Sequence, residues 1–340
     1  MVKKPFVKTV LGALMLSFSM PLFASEVNVY SHRHYDTDRL LYQKFEEQTG
    51  ITVNVVHARA EELLSRLQIE GMRSPADMFI TADVGNIYQA KVNDLLQPIQ
   101  SQKLNEIIPS HLRDADNQWY ALTKRARVII YNKENVDPYT LSTFDAMGDP
   151  DFPYSISVRT SANAYNKSLM ASMVANLGEE KALEWAKGVV ANMARDPRGN
   201  DRDQIRAAAS GEADVAIANT YYIGRFVQSQ DPADRAVAKN VGIFFPNQYD
   251  RGTHINISAA GVTKSAKNKE NAIKLLEFLL SEQAQESFAQ ANSEYPVNAA
   301  VEASDIVKSW GVFNEDTLPL TEIGENQTKA VELLQKAGWK

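Results

Sequence analysis

Two tyrosines in succession, Tyr221 and Tyr222, stand where the apolar run Asp214-Val215-Ala216-Ile217-Ala218 gives way to Ile223–Gln228. The run reads as a buried strand and the segment after it as the beginning of a helix. Neighbouring side chains point to opposite faces of a strand and diverge by ~100° around a helix. Adjacent side chains therefore converge readily only at a junction between the two. Two phenols meeting there, with Arg225 one turn on, suit a hard cation. The alternative is one ring in the core and one at the surface, a common use of amphipathic aromatics at element ends.

Two further strand ends carry phenol or imidazole. Val27–Tyr30 alternates as a strand and runs into Ser31-His32-Arg33-His34-Tyr35. Ile156–Val158 runs into Thr160-Ser161-Ala162-Asn163-Ala164-Tyr165, where Ser161 or Asn163 can cap a helix reaching Asn176. Tyr165 then falls in a first turn, where the helix dipole favours negative charge. Oxygen and imidazole donors suit a metal of high charge density better than a soft one. Zinc more typically takes cysteine, histidine or carboxylate, and calcium or magnesium want clustered carboxylates and carbonyls. The chain has no cysteine. Ferric iron, acidic enough to bind tyrosine as phenolate, is the best match among metals.

Several phenolates overbalance a +3 ion, and guanidiniums can offset the excess by pairing with phenolate or with a bound anion. Arg225 is the first candidate from local spacing. Arg125 and Arg127 follow, because Lys124-Arg125-Ala126-Arg127 directly precedes the apolar strand Val128–Asn132. The plainer reading of each arginine is a surface ion pair. His32 and His34 share a face if the turn is extended, so spacing does not choose between them. His57, His111 and His254 have no second donor near them in sequence and read as structural. Tyr30, Tyr42, Tyr88, Tyr120 and Tyr131 sit in apolar patterns and read as core or interface. No nucleophile or phosphate-loop motif is present, which points away from an enzyme.

The positioning elements follow from periodicity. Val27–Tyr30, Ile51–Val56 and Met78–Ile80 read as strands, separated by helices over Arg39–Gln48, with Asp38 as cap, and Glu61–Glu70. This β-α-β-α-β order implies a parallel sheet whose ligand site lies beyond the carboxyl ends of the strands. Helices are expected at Ile87–Leu96, Leu141–Met147, Glu179–Met193, Gln204–Ala209, Glu270–Leu280, Glu282–Ala291 and Asn326–Lys336. Trp119–Leu122 and Val128–Asn132 read as separate short strands, Val241–Phe245 as another, and Thr253–Val262 as extended chain.

The first residues place lysines at 3, 4 and 8 before an apolar run from Val10 to Met20. This is the order of a secretory leader, with cleavage expected near Ala24. The whole chain is −6; the leader holds three lysines and no acid, so the remainder is −9. Such a balance argues against nucleic acid or anionic membrane as partners. With no cysteine there is no lipid-anchoring residue and no disulfide, and the periplasm is the expected compartment. The length exceeds what one core usually supports, so two domains are expected.

The chain resembles the ferric-iron-binding periplasmic proteins of ABC transporters, the FutA and FbpA group. The resemblance runs across essentially everything after the leader. It is carried by Tyr30-Ser31-His32-Arg33-His34-Tyr35, Ser74-Pro75-Ala76-Asp77, Thr123-Lys124-Arg125-Ala126-Arg127-Val128, Asn163-Ala164-Tyr165-Asn166, Gly199-Asn200-Asp201, Ala218-Asn219-Thr220-Tyr221-Tyr222 and Phe245-Pro246-Asn247-Gln248. It implies an α/β type II periplasmic binding protein: two α/β lobes joined by crossing hinge strands, with the ligand in the cleft. The lobes are expected at 25–124 with 253–300 and at 125–252 with 301–340, after a signal peptide over 1–24. The resemblance further implies His34, Tyr35, Tyr165, Tyr221 and Tyr222 as metal ligands. It places Arg225, and behind it Arg125 and Arg127, around the ion or a synergistic anion such as carbonate. FbpA-like members use a glutamate where Ala82 stands here, and Asp83 next to it faces elsewhere if the strand continues. The tyrosine-rich FutA type is therefore the nearer resemblance. The partners implied are an inner-membrane permease and its ATPase, with the binding protein a monomer. A same-fold protein for a polyamine, another organic cation or a small anion is the alternative.

Overall fold

The computed structural model describes residues 25–33 and 35–340, so the leader and His34 lie outside the described residues. The alternating first segment forms β1 (Glu26–Ser31), followed by α1 (Asp36–Thr49), β2 (Thr52–His57), α2 (Ala60–Glu70), β3 (Met78–Ala82) and α3 (Val84–Val92). After a short α4 (Gln102–Ile107) come β4 (Tyr120–Asn132), β5 (Ile156–Ser157), α5 (Ala164–Leu177), α6 (Glu179–Ala191), α7 (Asp201–Ser210), β6 (Val215–Asn219), α8 (Tyr221–Gln228), α9 (Pro232–Asn240), β7 (Val241–Phe244) and β8 (Ile255–Val262). The chain closes with α10 (Lys269–Leu279), α11 (Glu282–Asn292), α12 (Asp305–Lys308), α13 (Leu320–Glu325) and α14 (Gln327–Lys336).

Among the described residues the strands run β2-β1-β3-β8-β4-β6-β5, with β7 also pairing β4. β1 lies parallel to β2 and β3, as the alternating order demands, while β8 returns antiparallel to β3 and β4. One apolar core spreads through this sheet and its helices. A smaller cluster gathers Ala126, Val128, Ile130, Ile205, Phe226 and Phe245 where β4, α7 and α8 meet.

The strands expected over Trp119–Leu122 and Val128–Asn132 are one continuous strand. The first part of β4 pairs with β8, from Tyr120 opposite Ala260 to Ala126 opposite Ile255. The second part pairs with β6, from Arg127 opposite Asn219 to Tyr131 opposite Val215. Arg125 and Arg127 thus sit mid-strand, not at a junction. A strand can carry such charges because residues two apart share a face. Thr123, Arg125 and Arg127 fall on one side, all buried, and each meets polar partners there.

Other expectations are corrected at element ends. Tyr35, in extended backbone, is the N-cap of α1, while Asp38 lies in its first turn and binds Arg33. The segment expected as a helix over Leu141–Met147 holds instead a single 3₁₀ turn, Asp145–Gly148, with another just before it at Pro138–Thr140. The helix after the tyrosine pair begins at Tyr221, two residues before the expected Ile223. α9 was not expected, although Asp231 capping a helix with Pro232 at its first position is a recognised start signal.

Candidate metal centre

Three helix starts carry the phenols. Tyr35 caps α1. Tyr165 is the second residue of α5, and its N–H donates to the Asn163 side chain at 3.1 Å, so Asn163 is the cap. Tyr221 and Tyr222 open α8 directly after β6. The backbone arrives there pinned to β4, since the Thr220 N–H donates to the Ala126 carbonyl at 3.0 Å. Each phenol therefore belongs to a helix end whose exposed N–H groups favour negative charge nearby.

The structure brings these tyrosines together. The Tyr165 and Tyr221 hydroxyls lie 3.3 Å apart. The Tyr221 and Tyr222 rings stack at 4.2 Å between centroids with a 33° tilt. Tyr35 is tied to the same group by Arg225, whose guanidinium carbon lies 5.4 Å from the Tyr35 ring centre, 5.6 Å from Tyr221 and 5.9 Å from Tyr222. Among the described residues no three histidine, cysteine, aspartate or glutamate side chains group as a metal site. A broad groove of about 840 Å³ between Phe45, Lys103, Lys274 and Phe278 shares no residue with the tyrosine cluster.

Burial pushes the Tyr35 phenol up to about 12, and the Glu294 carboxylate adds to the shift. Burial also drives Tyr221 well above the ordinary phenol range, with neighbouring Tyr165, Tyr222 and Tyr35 opposing its ionisation. Tyr222 is raised by burial first and then by Asp201 and Tyr165. Burial and closely set phenols thus disfavour the anionic forms of Tyr35, Tyr221 and Tyr222. A cation placed among them reverses that preference.

Arginines surround the phenols, in part where the sequence pointed and in part where it did not. Arg225 is exposed and faces three of the rings. Arg125 is buried, 5.9 Å from the Tyr221 ring centre, and donates to Ser258 at 2.8 Å. Arg127 is buried, 5.9 Å from the Tyr165 ring centre, and donates to Asn166 at 2.5 Å and Asn219 at 3.0 Å. The surface ion pair is thus overturned for Arg125 and Arg127. Three residues not singled out in the sequence complete the charge pattern. Arg33, 4.8 Å from the Tyr35 ring centre, binds Asp38 through two nitrogens at 2.8 and 3.1 Å. Glu294 lies 3.4 Å from Arg33 and 3.8 Å from Arg125, and these two arginines hold its carboxyl below the usual range against the pull of burial. Asp201 bridges Arg127 at 3.3 Å and Arg159 at 2.6 Å. Arg33 and Asp201 stand inside motifs that carry the resemblance and Glu294 does not; apart from the local Arg33–Asp38 pair, their partners are remote in the chain.

Ala82 ends β3, so no carboxylate stands at that position. Asp83 does not continue the strand: its φ is +83° and its side chain caps α3. Its carboxylate accepts from Ser168, Asn256 and Gly85, which directs it away from the phenols. Of the remaining histidines, His32 Nδ1 lies 3.3 Å from the Thr81 hydroxyl, His57 Nδ1 lies 2.8 Å from the Arg33 carbonyl and His111 Nε2 lies 3.0 Å from Glu315. His254 is buried, and burial beside Arg127 and Arg251 lowers it to about 3, which keeps it neutral.

The comparison with known proteins is consistent across sequence and structure. Iron uptake protein A1 of a Synechocystis species is 50% identical over 93% of this chain and 88% of its own length. A solved Trichodesmium protein, described as IdiA or FutA in complex with iron and citrate, superposes with a TM-score of 0.90 at 46% identity, covering 93% of this chain and all of that one. The ferric binding protein from Campylobacter jejuni gives 0.87 at 47% identity over 92% of this chain and all of its own. Residues 73–311 match the family described as bacterial extracellular solute-binding protein. With relatives of this identity and coverage, the fold is that of the type II periplasmic binding proteins, and the chain belongs to the bacterial extracellular solute-binding protein family.

Proposed function

We propose that this chain captures ferric iron as tyrosinate and hands it to a membrane permease. The observation that carries the reading is the meeting of Tyr35, Tyr165, Tyr221 and Tyr222 from three helix starts, under the Arg225 guanidinium. A hard trivalent cation among these phenols stabilises their phenolates, and Arg225, Arg125 and Arg127 offset the surplus negative charge. His34, next to Tyr35 in the chain, is the further ligand on the strength of the resemblance. A synergistic anion such as carbonate, held by the arginines, is a separate part of the proposal; citrate accompanies iron in the Trichodesmium relative.

The ligand site lies between two lobes, 25–124 with 253–300 and 125–252 with 301–340. The change of partners along β4, from β8 to β6, supports a crossing there. The ion contacts Tyr35 on one side and Tyr165, Tyr221 and Tyr222 on the other, so its differential affinity favours the closed state. The family is one of solute-binding proteins and not of enzymes. An ABC permease with its ATPase, a periplasmic location after removal of the leader, a monomeric state and the lack of a lipid anchor or nucleic-acid partner complete the proposal. One electron from an external donor, such as dithionite, converts Fe³⁺ to Fe²⁺, which holds phenolate less strongly, so the phenolates take up protons from water and the ion leaves; equal affinities for the two oxidation states would refute that step.

The test is a visible absorption spectrum before and after addition of ferric citrate. Phenolate on ferric iron gives a charge-transfer colour that histidine and carboxylate do not. Colour that is bleached by dithionite and weakened in Tyr222→Phe supports the reading. A colourless protein that takes up no iron overturns it in favour of an organic cation or small anion.

A further inference from the structure

The Asp83–Ser168 contact is a polar tie between the end of β3 and α5, elements that also meet through α3 and α13. Asp83 follows β3, which pairs with β1 and β8. Ser168 lies one turn along α5 from Tyr165, and α5 packs on α6 and α14. Both residues are buried, at 2% and 0% exposure. Asp83 Oδ1 accepts the Gly85 N–H at 2.8 Å, both of its oxygens lie 2.9 Å from the Ser168 hydroxyl, and Oδ2 accepts from Asn256 Nδ2 at 2.7 Å. Gln327, at the start of α14, donates to the Ser168 oxygen at 3.0 Å.

This network admits one assignment of donors and acceptors. Asn256 cannot turn its amide, because its Oδ1 already accepts the backbone N–H groups of Val84 at 3.0 Å and Ile257 at 2.7 Å. Its Nδ2 must donate to Asp83, and Gln327 must donate to Ser168, so the serine proton goes to Asp83. Asp83 is held for this in a left-handed backbone conformation that non-glycine residues rarely adopt. Above it opens a wedge of about 250 Å³ between Glu61, Leu64 and Asn86 on one side and Lys167, Thr328 and Val331 on the other. Of the network, Asp83, Gly85 and Gln327 also line that wedge.

We propose that Asp83 and Ser168 are positioning residues: their tie fixes the pitch of α5 against the end of β3 and so delivers the Tyr165 hydroxyl to Tyr221 and the side of the cleft that carries Tyr35. Neither side chain touches the ion; Asp83 acts through Ser168 and the helix. The functional consequence rests on the iron reading above, whereas the tie itself does not.

The experiment compares wild type with Ser168→Ala, which removes the hydroxyl and leaves Asp83 its bonds to Gly85 and Asn256, and with Ser168→Thr, which keeps a hydroxyl. Small-angle scattering of the metal-free proteins and the rate of ferric-iron release to a chelator are measured, together with the charge-transfer band. Loss of a hydrogen bond to a carboxylate predicts release accelerated roughly 10–100-fold in Ser168→Ala, with a shifted band and a broader scattering profile, and near-wild-type behaviour in Ser168→Thr. Unchanged release, band and scattering in Ser168→Ala overturn the tie, as does equal impairment in both variants. Should Ser168→Ala fail to fold, Ser168→Cys, close in size but a weak donor, supplies the same comparison. If wild type itself takes up no ferric iron, the proposed function falls, and the scattering of the metal-free proteins alone decides the tie.

Discussion

Acid should strip iron from this site steeply. Burial holds Tyr35 at about 12 in the empty cluster, and Tyr221 and Tyr222 are also raised. Forming the Tyr35 phenolate at neutral pH then costs about 7 kcal/mol, some five pH units at ~1.4 kcal/mol each. The ion must supply that energy to bind Tyr35, and it displaces one proton from each phenol it binds. The empty protein therefore carries more protons than the loaded one, so acid favours the empty form and alkali the loaded one. With Tyr35, Tyr165, Tyr221 and Tyr222 each giving up a proton to the ion, the logarithm of affinity should fall by about four per pH unit below neutrality. The assay is competition for ferric iron against a chelator of known protonation constants, followed by the colour from about pH 8 to about pH 5. A slope below one proton per ion would refute phenolate ligation by this set.

Tyr221→Phe and Tyr222→Phe each remove one donor while leaving the ring stack, and should weaken iron binding by more than the roughly 10–100-fold typical of losing an outer partner, read by chelator competition. Arg225→Gln should leave the melting temperature unchanged, since the side chain is exposed, but weaken binding by roughly a few-fold, with less dependence on salt than in wild type. Glu294→Gln leaves Arg33 and Arg125 with a buried surplus of positive charge, and should cost about 3–5 kcal/mol in denaturant unfolding.

Much of this arrangement was legible because it is local. Strand alternation placed β1, β2 and β3, and glycines at positive φ, Gly50 and Gly211, stop the helices α1 and α7. The phenols were legible because each stands at the start of a helix that follows a strand. What was hidden is what depends on partners remote in sequence. β4 looked broken because Lys124, Arg125 and Arg127 interrupt its apolar pattern. The interruption is tolerated because Glu294 and Asp201 come from elsewhere to neutralise the arginines. Asp38 looked like a cap because nothing local announces that Arg33 claims its carboxylate. Asp83 could be read as turned away from the ligands only if the strand continued; it faces away because the strand stops.

The continuity of β4 also bears on how the chain comes to be folded. Its first half is completed by β8, which is made only after β5, β6, β7 and α5 to α9 have all been made. Closing the central sheet thus needs contacts between segments far apart in the chain, and such topologies fold slowly. A polypeptide threaded through a pore from its amino end would keep β4 half-paired until Val262 emerged. The ordering of strands alone would lengthen the interval such a chain spends incompletely paired.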